Sequence, residues 1–267
     1  MRLQTSPSPA LEITAPKPAS TLEQRLILFG GAALLLLLAL VLPEYAQSAH
    51  YHGFADQRSL AGLPHAADVL SNLGFVVMGG LGLLALSRAD ICRVNSTARA
   101  MCGLFFVGLL CTAVGSSYYH WAPQDASLVW DRLGMSVAFA GLLGLAVQTR
   151  LDDTSASVAA LIVLVAAPLS VAVWAQTGNV LPWALVQGGG MLAVVWLTFL
   201  EPRRHALPVE LGWVIGLYVV AKLLEMSDVD VFDVTGRMIS GHSLKHWVAA
   251  AAALPVISAL HKRRELQ

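Results

Sequence analysis

The chain has 267 residues, 56% hydrophobic and 13% charged, with a mean hydropathy of +0.65. A soluble domain carries about 25% charged residues, so this composition excludes a disordered chain and an ordinary cytosolic enzyme. Lys plus Arg and Asp plus Glu are 17 each, which leaves no net charge to hold a nucleic acid, and Cys92, Cys102 and Cys111 form neither a disulfide framework nor a Cys-x-x-Cys metal ribbon.

Residues 1–24 contain Pro7, Pro9, Pro16 and Pro18 among Ser and Thr and read as a disordered cytoplasmic tail. Eight apolar stretches follow: 26–43, 66–87, 98–119, 128–149, 156–175, 181–200, 208–225 and 241–260. Each approaches the roughly 20 residues that cross a hydrocarbon core about 30 Å thick. Gly, Pro, Asp and Arg gather between them, as expected of helix ends in water. The expectation is an all-α, multi-pass integral membrane bundle. Residues 25–43 form an N-terminal transmembrane helix and 44–262 a single seven-helix domain. The first span has a second reading, as a signal peptide or signal anchor, since Arg25 precedes the Leu-rich run 31–42 and Ala46-Gln47-Ser48 follows it.

Basic residues in the short loops set the orientation. Arg2, Lys17, Arg25, Arg88, Arg93, Arg99, Arg150, Arg203, Arg204, Lys262, Arg263 and Arg264 fall on one side, against Arg58, Arg132 and Arg237 on the other. This bias puts both termini in the cytoplasm and the 44–65, 120–127 and 226–240 loops outside.

Ionisable groups inside spans are costly, and here they are not scattered. Ser116 and His120 end the third span, Asp131 begins the fourth, and His242 and His246 begin the eighth, all toward the outer side. His242 and His246 are four residues apart, so their side chains stack on one helix face and can chelate one ion. Three imidazoles with an open fourth position are the pattern of a catalytic zinc. Taken alone, the His242/His246 pair suits haem as well as zinc; the added His120, Ser116 and Asp131 favour zinc. His50, His52, His65, His205 and His261 fall in loops or at helix ends. Lys222 and Glu225 have the spacing of an i,i+3 ion pair, and Lys245 either snorkels to the interface or meets an anionic head group.

At these residues the sequence resembles the alkaline ceramidases, within the seven-helix membrane hydrolases related to the adiponectin receptors. The resemblance rests on Asp68-Val69-Leu70-Ser71-Asn72, on Gly115-Ser116-Ser117-Tyr118-Tyr119-His120 with Asp131 eleven residues on, and on Gly241-His242-Ser243-Leu244-Lys245-His246-Trp247. It covers residues 66–260 and implies a seven-helix hydrolase core, spans two to eight, plus one extra N-terminal helix. It further implies zinc on His120, His242 and His246, with Ser116 and Asp131 as catalytic residues beside it. The implied activity is hydrolysis of the N-acyl bond of ceramide-like membrane lipids to a fatty acid and a sphingoid base. In that scheme Asp131 moves the proton and Ser116 hydrogen-bonds the oxyanion.

Two departures stand out. The family's acidic calcium site reads Phe54-Ala55-Asp56-Gln57-Arg58 here, with His65 in place of a further Glu, so only Asp56 and Asp68 remain of it. The family's Asp-Glu pair is Asp131-Arg132, and Lys245 lies between the two paired histidines. A slow or non-hydrolytic zinc receptor or sensor of the same fold, and a haem or transport protein, are the alternatives.

Overall fold

The computed structural model describes residues 21–90 and 94–265. The expected tail therefore lies outside the described residues except for 21–24, which are already helical. Eleven helices and no β-strand occur among the described residues. They are α1 (Thr21–Val41), α2 (Ala66–Ser71), α3 (Leu73–Arg88), α4 (Ser96–Trp121), α5 (Asp125–Arg150), α6 (Asp153–Thr177), α7 (Leu181–Thr198), α8 (Leu211–Met226), α9 (Asp228–Val234), α10 (Gly241–Ala251) and α11 (Leu254–Glu265). Seven of the resulting segments are long and apolar enough to cross a membrane. The protein is an all-α, multi-pass integral membrane helix bundle.

The helix in the seventh expected span, 208–225, is shorter than its apolar run. Glu210 lies outside helical geometry, so the helix starts at Leu211, and Ser227 leaves helical geometry after Met226. The resulting 16 residues rise about 24 Å, short of a full crossing. Two other spans are broken. A tight turn of i→i+3 hydrogen bonds at Asn72 separates α2 from α3. Pro255 cannot donate to the Ala251 carbonyl, so the chain passes from α10 to α11 through i→i+3 bonds at Ala252 and Ala253.

Local signals fix several helix ends. The Asn95 side chain accepts from the Thr97 and Ala98 amides at the start of α4, and Asp152 accepts from Ser155 at the start of α6. Gly178, with φ of 77°, ends α6 in the left-handed region that a glycine enters without strain.

The helices α3, α4, α5, α6, α7, α8 and α10 each pack on the next, and α10 returns to α3, which closes a ring of seven. The helix α1 lies outside the ring against α7 and buries only Leu28. At the other extreme every residue from Ala140 to Thr149 of α5 is buried. A helix apolar on all sides has no preferred face and takes the interior.

The α4–α5 pair positions the site. Gly108 and Gly115 of α4 lie against the backbone of α5 at Ala138 and Trp130, and Gly134 and Gly141 of α5 lie against Cys111 and Phe105 of α4. A Cβ at any of the four would overlap a main-chain atom. Between membrane helices, where lipid competes equally for apolar side chains, such close backbone approach is a main source of packing energy. It carries Ser116 and His120 against the first turns of α5.

Candidate metal centre and its cavity

His120 at the end of α4 and His242 and His246 on α10 converge, with one ring nitrogen of each within 4.8 Å of the others. All three are buried. The His120 and His242 Nε2 atoms are 3.2 Å apart, and the three ring centroids are 4.8 to 5.1 Å from one another. Phe54, from the loop between α1 and α2, closes the outer side, its ring centroid 4.7 Å from that of His120 and 4.4 Å from that of His242.

Hydrogen bonds orient two of the histidines. The Ser71 hydroxyl donates to the Asp68 carbonyl at 2.8 Å and lies 2.7 Å from His246 Nδ1. A hydroxyl has one proton to give, so it accepts from His246, whose proton then sits on Nδ1 and whose Nε2 keeps a lone pair for a ligand role. The backbone amide of His242 donates to Asp228 Oδ1 at 2.7 Å, while the Ala55 amide donates to the other oxygen of that carboxylate at 2.9 Å. Ser243 donates to Asp68 Oδ1 at 2.6 Å, and Ser240 caps α10 by accepting from the Ser243 amide. Carboxylates at the N-terminus of α10 meet its exposed amides and the positive end of its dipole. Gly241 admits this arrangement, because a Cβ there would overlap the Leu224 carbonyl and crowd the Asp228 backbone.

Ser116 and Asp131 lie side by side, since Gly115 brings the α4 backbone against Trp130 and Asp131 of α5. Both line a cavity of about 190 Å³ inside the ring, together with His246, Arg132, Glu225 and Lys245 at its polar end. Phe105, Leu109, Leu142 and Met191 line the deeper part. From Ser116 to Phe105 is eleven residues along α4, about 16 Å of helix rise. The cavity is thus a slot with a charged end at His246 and an apolar body.

The sequence-derived residues His120, His242, His246, Ser116 and Asp131 are therefore neighbours. Lys222 and Glu225 are paired as their spacing predicts, and Lys245 joins them, its Nζ 2.6 Å from Glu225 Oε1. Lys245 does not snorkel: its charge is held at the cavity wall by Glu225. Asp56 is committed to Arg58 through contacts of 2.8 and 2.6 Å, and the Arg58 guanidinium holds its carboxyl below the usual range. His52 contacts Tyr119 Oη at 2.8 Å and Asp125 at 3.1 Å, outside the three-histidine cluster.

Sequence reasoning missed the roles of Ser71, Phe54 and Asp228. Ser71 sits in a motif already singled out, so a signal existed. Asp228 is one of several acidic residues in its loop, and nothing in the order of residues separates it from Asp230 or Asp233.

Fold and site together define a class: a polytopic helical membrane protein with a buried three-histidine cluster able to hold a metal ion, one of whose histidines, His246, lines an internal cavity. No family model matches the chain, and no curated protein matches it.

Proposed function

We propose that the protein is a zinc-dependent membrane amidase that hydrolyses the N-acyl bond of ceramide-like lipids, as the alkaline ceramidase resemblance implies. One observation carries the reading: three buried histidines converge beside an apolar slot that His246 lines together with Ser116 and Asp131. Ligand nitrogens about 2.0 Å from a tetrahedral zinc lie about 3.3 Å apart, close to the 3.2 Å between the His120 and His242 Nε2 atoms. A zinc ion in such a site supplies Lewis acidity and lowers the pKa of water. The close convergence of the rings leaves no plane for a macrocycle between any two of them, which disfavours haem.

In this mechanism the apolar body of the slot takes the acyl chain and brings the amide to Ser116 and Asp131. Asp131 accepts the proton of the attacking water and returns it to the nitrogen of the leaving amine. The Ser116 hydroxyl donates to the developing oxyanion. The products are a fatty acid and a sphingoid base. The bias of basic residues supports cytoplasmic termini and a site opening toward the extracytoplasmic side.

Turnover of ceramide and zinc content, measured on the same preparations, test the reading. Asp131→Asn should lower turnover by about 10²–10⁴-fold and retain zinc. Ser116→Ala should cost on the order of 10²-fold. An Asp131→Asn protein with wild-type turnover refutes the proton role. Absent turnover by the zinc-loaded wild type would leave the receptor reading.

A further inference from the structure

Arg132 follows Asp131 on α5 and is only 2% exposed. Its guanidinium lies over the Trp174 ring at 3.9 Å, with the rings of Trp183 and Tyr51 at 5.7 and 5.6 Å. Aromatic faces stabilise the cation above and below its plane, but they satisfy none of its in-plane N–H groups. One of these, on Nη2, donates to the Gln47 side chain. Nε and Nη1 are buried and have no hydrogen-bond partner. A buried charged donor without an acceptor is costly, and three aromatic rings and Gln47 hold this one against the cavity wall.

The surroundings carry the same sign. Lys222 and Lys245 line the same cavity and share one carboxylate, that of Glu225. An ammonium has three donors, so each lysine keeps some beyond the one spent on Glu225. Among the residues that line the cavity, the cations Arg132, Lys222 and Lys245 stand against two carboxylates, Glu225 and Asp131. The lysines are on α8 and α10 and the arginine on α5, so positive charge borders the cavity from more than one side.

We infer that the cavity is a site for a lipid whose head group carries an anion, carboxylate or phosphate, next to the amide, with Arg132 as the residue that binds it. This rests on the amidase reading for what happens to the amide, but not for binding. Nε and Nη1 open on different edges of the guanidinium, so either one can take an oxygen of such a group, and the aromatic rings hold the cation in place before the ligand arrives. The lysines add attraction without fixing geometry. An anion offers the Arg132 donors a charged acceptor where the hydroxyl of a neutral ceramide offers only a weaker one, so anionic relatives of the ceramide-like substrate should bind more tightly.

The test compares three lipids with one acyl chain: N-palmitoylethanolamine, its O-phosphate, and N-palmitoylglycine. Binding to the full-length protein is read by tryptophan fluorescence in the first seconds after mixing, before product accumulates, and inorganic phosphate is titrated alongside. Both anionic lipids should bind at least about tenfold more tightly than the neutral one, the effect of one charge-assisted hydrogen bond or more. In Arg132→Gln that ratio should fall toward one, and in Arg132→Lys it should be intermediate. Any metal contact with the anion is common to all three proteins, so a ratio kept in full by Arg132→Gln overturns the assignment. Equal binding of the three lipids by the wild type also overturns it, and this comparison needs no variant to fold. Inorganic phosphate binding as tightly as the phosphorylated lipid would make the site one for free anions and overturn the lipid assignment. The expected ratios without hydrolysis of any lipid would support the anion site and count against the amidase reading alone.

Discussion

The two ends of the bundle use charge in opposite ways. At the end formed by the N-terminus of α1, the C-termini of α3, α5 and α7 and the N-termini of α4 and α6, charges find partners and remain near solvent. Arg25 pairs with Asp152 at 3.0 Å, Arg203 with Asp153 at 2.8 Å, and Asn95 donates to Asp153 at 2.7 Å. Arg150 and Arg99 donate to backbone carbonyls that their neighbouring helices leave open. At the opposite end the polar groups are withdrawn from water, and more of them keep unmet hydrogen-bonding capacity: His65 Nδ1, Asp68 Oδ2, Asn72 Oδ1, His120 Nδ1 and two nitrogens of Arg132, against Arg99 Nε and Gln148 Oε1 at the first end. The first end is a set of ties between helices. The second keeps polar groups buried at a cost that packing elsewhere must offset, and this is where a ligand gains most by supplying the missing partner.

That contrast predicts unequal responses to mutation. The largest should come from His242→Ala/His246→Ala, which removes two of three converging nitrogens. Metal analysis of the purified protein should show zinc falling from one per chain toward none, and full retention would refute the centre. A smaller effect is expected from Ser71→Ala, which leaves every candidate ligand in place but frees His246 Nδ1. Zinc affinity, read by competition with a chelator, should drop about 10–100-fold. Unchanged affinity would mean that packing alone orients His246.

At the other end Asp152→Asn should matter least. Asparagine still caps α6, so the change removes little beyond the pair with Arg25, whose side chain is 45% exposed, and the loss should stay below about 1 kcal/mol. The pair also has a pH signature. Burial pushes the Asp152 carboxyl up, but hydrogen bonds from Arg25 and Ser155 outweigh this and bring it down to about 2 from an ordinary 3.8. A depressed folded value stabilises the fold above the unfolded value, so this contribution is present above about pH 4 and disappears as pH falls toward about 2. Melting of wild type and Asp152→Asn across that range should converge at the acid end; a constant gap would exclude the ion pair as its cause.

Much of the site was legible because its residues carry their own periodicity. His242 and His246 share a helix face at any tertiary arrangement, and Ser116 and His120 do so likewise. Alternation of the spans then puts both pairs and Asp131 at one end of the bundle. Asp228, Phe54 and the cage around Arg132 were not legible, since Trp174, Trp183 and Tyr51 come from three separate segments with no shared spacing. Residues of this kind are selected by distance in space, and a linear pattern does not record it.

The sequence by itself determined the membrane class, the number of membrane spans to within one short helix, and the end at which the polar residues gather. These follow from hydropathy, length and the four-residue repeat, all local properties. Only the tertiary structure decided that seven helices close into a ring with α1 outside, that the α4–α5 glycines let two backbones approach, and that Lys245 is held by Glu225. It also decided that Arg132, which composition would place in solvent, turns inward against aromatic rings. The physical reason is that each outcome depends on the shape left between helices, and that shape exists only once all of them have packed.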